Sequence, residues 1–119
     1  MSSFVSLNLE SRTPIYEQII EQIERFVALG VYKTNEQIPS IRELAANLGI
    51  NPNTIKKSYE ELESRGVIYT ISTKGTFISN NTKNVINKKI NEEIDNIKII
   101  ISDLEKMGIS KDEILKKLE

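Results

Sequence analysis

The 119-residue sequence predicts a mainly α-helical protein with a small β wing. Three observations support this fold class: two short helical patterns joined by a tight turn within residues 40–66, an alternating pattern at 67–78, and a helical apolar repeat from about residue 85. Two helices joined by so short a turn form a helix-turn-helix, and a β-hairpin directly after it forms a wing. The prediction is a winged helix-turn-helix domain plus a short two-helix C-terminal dimerisation segment.

The first helix of the motif is predicted to begin at Ser40. Ser40 and Glu43 fit the Ser-x-x-Glu capping box, and Gly49 supplies the left-handed residue that ends the helix. Its apolar face consists of Leu44, Ala45 and Leu48.

The second helix is predicted to begin at Asn51, which caps it, with Pro52 at the first helical position. Gly66 ends it. Its apolar residues are Ile55, Tyr59 and Leu62. The alternation that follows predicts a hairpin around a Lys74-Gly75 tip. The alternating residues are Val67, Tyr69 and Ile71, followed by Phe77.

Two segments precede the motif. Residues 1–12 alternate weakly at Phe4, Val5, Leu7 and Leu9 and are interpreted as a short arm. A helix is then predicted with Thr13 as its cap, Pro14 in its first turn and Gly30 at its end. Its apolar face consists of Ile15, Ile19, Ile23, Phe26 and Val27. Because Pro39 disfavours a helical Ile38, Ile38 should be extended and pair with the wing.

The last 40 residues carry a different pattern. Asn80, Asn81 and Thr82 suggest a linker, so the predicted domains are 1–79, for DNA binding, and 80–119, for dimerisation. An apolar repeat starting at Val85 or Ile86 has a spacing close to 3.5 residues, which is typical of a helix that packs along another helix. The predicted dimerisation residues are Ile90, Ile94, Ile97, Ile101 and Leu104. Gly108 ends this helix, and Ser110 with Glu113 predicts a capping box for a last one.

Composition excludes several classes of function. The chain has no cysteine and no histidine, which removes thiolate and imidazole ligands and the commonest general base. We therefore expect no enzyme, no metal site and no cofactor. The N-terminus lacks the pattern of a signal peptide and no stretch has the length of a membrane span, so a cytoplasmic protein is expected.

Charge gives a weaker indication. The net charge is −1, and residues 1–79 hold 8 basic and 9 acidic side chains, whereas DNA-binding domains often carry a basic surplus. Placement matters more than the total, because Lys56 and Lys57 lie near the start of the second helix and the three glutamates Glu60, Glu61 and Glu63 come later. A homodimer would double such small basic patches. The near-neutral charge keeps one alternative open, a winged helix used as a protein-interaction module.

The motif resembles the GntR family of bacterial transcriptional regulators. The resemblance rests on residues 39–51, PSIRELAANLGIN, and on Thr54, Tyr59, Leu62-Glu63, Gly66 and Gly75-Thr76-Phe77. Arg12-Thr13-Pro14-Ile15-Tyr16 and Asn51-Pro52-Asn53-Thr54 are similar to the YtrA subfamily in particular, whose short two-helix C-terminal segment serves dimerisation. The resemblance implies a homodimeric regulator of double-stranded DNA. It also implies a repressor, with an ABC transporter operon as its target, and it names no effector.

The resemblance also implies DNA contacts at matching positions. Arg42 corresponds to a family arginine that reaches DNA, and a guanine edge is the favoured target of such a side chain. Asn53 and Thr54 lie where family members touch bases and phosphates. Phosphate contacts are implied for Lys56 and Ser40. Lys74 and Gly75 form the wing tip that would meet the minor groove.

The sequence departs from the family pattern at two places. Pro52 stands where many members have a basic residue, so one direct contact is absent. Thr73-Lys74-Gly75 replaces the usual Gly-x-Gly, which should stiffen the wing turn.

Overall fold

A computed structural model describes residues 5–119, so Phe4 and the rest of the predicted arm before it lie outside the described residues. The chain divides into two compact units, Met1–Ile86 and Asn87–Glu119. The elements in chain order are α1 (Ile15–Ala28), β1 (Gln37–Ile38), α2 (Ile41–Leu48), α3 (Pro52–Ser64), β2 (Ile68–Ile71), β3 (Gly75–Ile78), α4 (Thr82–Lys106) and α5 (Lys111–Lys117).

Three helices and a small sheet enclose the core of the first unit. The side chains with almost no exposed surface come from α1, α2, α3 and the wing, and the largest of them are Ile19, Ile23, Leu44, Ile55, Leu62, Val67 and Ile78. The predicted apolar faces of the three helices are therefore confirmed as core faces. Burial of this apolar surface is the main source of stability for a unit of this size.

The start of α1 differs from the prediction. Thr13 does not cap the helix: Pro14 occupies the N-cap position, and no side chain caps it there. The side chain of Gln18 instead bonds the preceding segment, with Nε2 donating to the Thr13 carbonyl at 2.8 Å and Oε1 accepting from the Asn8 amide at 2.9 Å. Gln22 pairs in the same way with both backbone groups of Ser6. The described part of the arm is thus fixed along α1.

The sheet has the strand order β1-β3-β2, with both pairs antiparallel. Ile38 pairs with Thr76, which confirms the prediction that Ile38 is extended beside the wing. Ile68 and Ile78 face one another across the hairpin and are buried against the core. Tyr69 and Phe77 lie on the other face, where their rings stack with centroids 5.5 Å apart. The alternation at Tyr69 and Phe77 therefore marked the outer face of the hairpin.

The turn between β2 and β3 requires unusual backbone conformations. Thr73 has a φ of 69°, a left-handed conformation that is unfavourable for a β-branched residue. Gly75 has a φ of 129°, and a Cβ atom there would collide with the side-chain amide of Gln37. That amide donates to the Lys74 carbonyl at 3.0 Å, so the turn is also held from β1.

The predicted linker at residues 80–82 is wrong in part, because α4 already begins at Thr82. Thr82 is 1% exposed, and its Oγ1 lies 2.7 Å from the Val67 carbonyl oxygen and 2.8 Å from the Ser79 carbonyl oxygen, so that its single proton is shared between them. Ile86 is buried in the core of the first unit. The first turn of α4 therefore belongs to the winged unit, and the apolar repeat available to a partner begins at Ile90.

The second unit contains the rest of α4 and the short α5. Ser110 caps α5 by accepting from the Glu113 amide at 3.2 Å, and Ile114 is buried. The isoleucines of α4 are exposed to a large extent, with Ile90, Ile94 and Ile97 between 45% and 50% exposed. No helix within residues 5–119 combines the length and the apolar character needed to cross a membrane.

Candidate nucleic-acid interface

A cleft of about 350 Å³ lies between α2, α3 and the wing strands of the first unit. It brings together three of the predicted contact residues, Ser40, Arg42 and Lys56. The other residues that line it are Ile41, Tyr59, Glu60, Glu63, Thr70 and Thr76. The predicted residues Asn53, Thr54, Lys74 and Gly75 lie outside the cleft, the first two in α3 and the last two at the wing turn.

Arg42 is positioned by the capping box that begins α2. Ser40 Oγ accepts from the Glu43 amide at 3.1 Å, and Glu43 Oε1 accepts from the Ser40 amide at 3.2 Å. The Ser40 amide is thereby occupied, while its hydroxyl proton can still be donated to a phosphate. Arg42, in the first turn, is exposed and forms no salt bridge with another described residue. Its guanidinium is free to bind a base edge or a phosphate.

The amino end of α3 presents polar groups. Asn51 Oδ1 accepts from the Asn53 amide at 2.8 Å, so Asn51 caps the helix as predicted. This leaves the side chains of Asn53 and Thr54 without a capping role. Asn53 is exposed and Thr54 half-buried. The positive end of the helix dipole lies at the same place, which favours a phosphate there.

The two lysines of α3 have different surroundings. Lys56 is exposed and lines the cleft. Lys57 Nζ lies 3.8 Å from the ring centroid of Tyr16, a cation–π contact that connects α3 with the start of α1. Lys57 was recognised as part of the basic patch but was not predicted as a contact, and only the tertiary structure shows that it is held in place.

The wing tip carries Lys74, whose side chain is exposed, and Gly75, whose backbone is half-buried against Gln37. The Lys74 amide donates to the Ile71 carbonyl at 3.0 Å and its carbonyl accepts from Gln37, so the backbone of the turn is fixed, while no residue in the described part of the chain forms a salt bridge with the ammonium group. A lysine presented in this way can reach a phosphate or the edge of a minor groove.

Two buried hydroxyl groups fix the helices that form the cleft. Tyr59 Oη donates to the Pro39 carbonyl at 2.6 Å, which ties α3 to the residue before the α2 cap. Burial raises the pKa of the Tyr59 phenol well above its ordinary value, so the proton needed for this bond is retained. Ser58 Oγ donates to the Tyr16 carbonyl at 2.9 Å and joins α3 to α1.

Sequence reasoning missed several residues of the cleft. Glu60 and Glu63 had been noted only as late acidic residues of α3, and Thr70 and Thr76 only as part of the wing. The Thr70 and Thr76 hydroxyl oxygens lie 3.4 Å apart on neighbouring strands, a proximity that only the strand register reveals. In the described residues, no group of three or more Asp and Glu side chains is arranged to hold a metal ion.

Comparison with known proteins identifies the family. Residues 15–78, more than half of the chain, match the family described as "Bacterial regulatory proteins, gntR family". The chain belongs to the GntR family. Family members are DNA-binding transcriptional regulators, and this GntR protein is therefore a regulator of transcription rather than an enzyme.

Two relatives of this GntR protein are similar beyond the family level. It is 44% identical over 82 residues to the HTH-type transcriptional repressor YtrA of Bacillus subtilis, a match that covers 69% of this chain and 63% of YtrA. A crystal structure of a transcriptional regulator from Oenococcus oeni superimposes with a TM-score of 0.76 at 39% identity, covering 97% of this chain and 96% of that one. The predicted family, the resemblance to YtrA and the fold class are thereby confirmed.

A third comparison concerns a protein bound to DNA. The DNA-binding domain of AraR, in complex with operator ORE1, superimposes with a TM-score of 0.55 at 32% identity. The match covers 61% of this chain and 89% of the AraR domain. The winged unit of the GntR protein thus has the fold of a domain that has been crystallised on an operator.

Proposed function

We propose that this GntR protein is a repressor that binds a pseudo-palindromic operator as a homodimer, with one recognition helix, α3, in each major groove. The observation that carries the proposal is the cleft between α2, α3 and the wing strands, which holds Ser40, Arg42 and Lys56. Half-sites would lie about one helical turn apart, roughly 34–36 Å, or a multiple of that distance.

The proposed contacts divide into two kinds. Arg42 and Asn53 would read bases, Arg42 through guanine O6 and N7 and Asn53 through adenine N6 and N7. Thr54, Lys56 and Ser40 would bind phosphates, which position the protein without reading sequence. Lys74 and Gly75 would approach the minor groove. The free side chains of Arg42 and Lys56 support these contacts, because neither has a salt-bridge partner to give up among residues 5–119.

The surface of α4 supports the dimer. Five residues spaced by four and three positions share one side of this helix, and they are Ile90, Ile94, Ile97, Ile101 and Leu104. Three of them are about half exposed and the other two are half-buried. Exposed apolar surface of this extent is unfavourable in water, and an identical face of a second copy would cover it.

A binding experiment tests the reading of bases. Arg42→Ala should cost about 1–3 kcal/mol of operator binding and relax discrimination at one base pair, whereas Lys56→Ala should weaken binding to all sequences alike. Electrophoretic mobility shifts with the protein's own upstream region, and with single-base variants of the footprinted site, would measure both. Unchanged operator affinity for Arg42→Ala would contradict the assignment of base reading.

A sedimentation experiment tests the dimer, and α4 offers a matched control. Ile97→Glu places a charge in the proposed interface and should give a monomer. Ile99, 60% exposed, lies two residues further on and thus about 200° around the helix, so Ile99→Glu should leave the dimer intact. Equal behaviour of the two variants would refute the interface.

The target genes and the location are also proposals. The similarity to the YtrA subfamily suggests an operon for an ABC transporter. A cytoplasmic location is proposed because transcription in bacteria takes place in the cytoplasm. Footprinting of the protein's own promoter region, together with expression of the neighbouring genes after deletion, would test the target. Raised expression in the deletion strain is the result expected of a repressor.

A further inference from the structure

The cleft between α2, α3 and the wing strands is lined by side chains of both charges. Arg42 and Lys56 line it together with Glu60 and Glu63, and along α3 the two carboxylates follow Lys56 by about one and two turns. Neither carboxylate forms a salt bridge with Arg42 or Lys56, and all four side chains are exposed. The salt bridges of nearby residues run elsewhere, since Arg65 binds Glu24 and Glu61.

The position of these carboxylates on α3 is set by helix geometry. Glu60 follows Asn53 by seven residues, which is close to two full turns, so both lie on the same exposed side of α3 about 10 Å apart along the axis. Recognition helices touch bases mainly with their amino-terminal residues. Glu60 therefore lies beyond the base-reading end, where the sugar–phosphate wall of the groove is met.

The position of the wing indicates that Glu63 also lies near the sugar–phosphate backbone. When α3 enters a major groove and the wing tip meets the neighbouring minor groove, one phosphate strand must pass between them. That passage is the cleft lined by Lys56, Glu63 and the strand residues Thr70 and Thr76. Along α3, the strand would meet Lys56 first and the carboxylates Glu60 and Glu63 about one and two turns further on.

We propose that Glu60 and Glu63 are specificity-determining residues, which repel phosphates from every docking register except the one that base contacts select. On the operator, the base contacts of Arg42 and Asn53 would hold the strand beside Lys56. On random DNA no base contact fixes the register, and the bound states include ones that bring phosphates against the carboxylates. Like-charge juxtaposition then disfavours those states.

The expected size follows from Coulomb's law. A carboxylate about 7 Å from one phosphate lowers affinity about threefold in water at low salt, and roughly 1.5-fold at physiological salt, where the Debye length is about 8 Å. At low salt, Glu60→Gln and Glu63→Gln should each raise affinity for random duplex DNA about threefold, and the double variant about tenfold. Operator affinity should rise less than twofold, so the ratio of operator to random binding falls.

The experiment measures operator and random-duplex affinities at several salt concentrations for the full chain. Glu21→Gln is the matched control, because it makes the same charge change on α1, outside the cleft. Folding of each variant is checked by thermal unfolding. The proposal predicts a lower specificity ratio for Glu60→Gln and Glu63→Gln, and an unchanged ratio for Glu21→Gln.

Three results would overturn the inference. If affinity rises equally for both DNAs, the carboxylates weaken DNA binding in general and do not affect specificity. If operator affinity falls, they contact bases or position Arg42. If neither affinity changes, the phosphate strand does not pass through the cleft. The inference rests on the proposed operator binding, and the experiment distinguishes failure of the inference from failure of the proposed function. If the unmodified protein binds operator and random DNA equally, the proposed function itself is wrong.

Discussion

The hydrogen bond from Tyr59 to the Pro39 carbonyl offers a sharp test of how the cleft is built. Tyr59→Phe removes only the hydroxyl group and leaves the ring in place, so no large cavity forms. The bond is short, 2.6 Å, and the tyrosine is 5% exposed. A neutral hydrogen bond contributes about 0.5–1.5 kcal/mol net, and leaving its acceptor without this donor adds to the loss. We expect the free energy of unfolding to fall by about 1–2 kcal/mol.

The same substitution should affect DNA recognition through Arg42. Pro39 immediately precedes the α2 cap, and Arg42 lies in the first turn of that helix, so a looser Pro39 carbonyl loosens the start of α2. The loss in operator binding cannot exceed that of removing Arg42, about 1–3 kcal/mol, and random-DNA binding should change little. Urea unfolding gives the first quantity, and mobility shifts on operator and random duplexes give the second.

Tyr69→Phe is the matched control, because it also removes one phenolic donor. Tyr69 Oη donates to Asn35 Oδ1 at 3.1 Å on the outer face of the wing, where water can replace the bond. Its cost should stay below about 0.5 kcal/mol. If Tyr59→Phe is no less stable than Tyr69→Phe, the reasoning fails. If it is less stable yet reads the operator normally, the bond stabilises the domain without positioning Arg42.

Three further predictions concern stability. Thr73→Gly should raise the free energy of unfolding by about 0.5–1 kcal/mol in urea unfolding, because the left-handed strain removed exceeds the entropy cost of glycine; a loss of stability would contradict this. Arg65→Ala should lower the free energy of unfolding by about 1–3 kcal/mol in the same assay, since Glu24 is 7% exposed and loses a cationic partner at 3.3 Å. The partial solvation of Arg65 limits this loss. No measurable change would show that water or other contacts suffice to stabilise the Glu24 carboxylate. Burial raises the pKa of Tyr59, so its contribution to stability is complete below pH about 10 and is lost as the pH rises above that value; alkaline unfolding should be less steep in Tyr59→Phe, and identical profiles would refute the assignment.

The helix-turn-helix could be predicted from sequence because its signals are local. Ser40 and Asn51 each bond an amide within three residues, and Gly49 adopts the left-handed conformation that its position requires. Such caps depend on the chain immediately around them. The same reasoning succeeded for Ile38, because the proline that follows it restricts its backbone whatever the fold.

Local signals failed where distant residues decide the structure. Thr82 looked like part of a linker, but its hydroxyl binds the Val67 carbonyl fifteen residues away and starts α4. Thr13 resembled a cap, but Pro14 occupies the N-cap position, and Gln18 of α1 binds both the Thr13 carbonyl and the Asn8 amide of the arm. In both places, contacts beyond the adjacent residues accompany a helix start that the local pattern did not predict.

The candidate site was predicted only in its basic part for a similar reason. Arg42 and Lys56 could be found by position within the motif. Glu60 and Glu63 could not be assigned to the same cleft, because this requires knowing which side of α3 faces the wing. Exposed charges give no periodic signal of their own, so only the packing of Ile55 and Leu62 into the core fixes which way they point.

The small number of cations in the winged unit explains why the second unit matters for the proposed function. Arg42 is assigned to a base, so Lys56 and Lys74 would bring about two ionic contacts with phosphates, and so few contacts give weak electrostatic binding with a shallow dependence on salt. In the proposed homodimer, the second winged unit binds at a high effective concentration once the first is bound. Two weakly binding units on one operator then bind tightly, whereas a single unit on random DNA dissociates readily. A near-neutral net charge is compatible with specific binding under this arrangement, provided that the isoleucine face of α4 holds the two copies together.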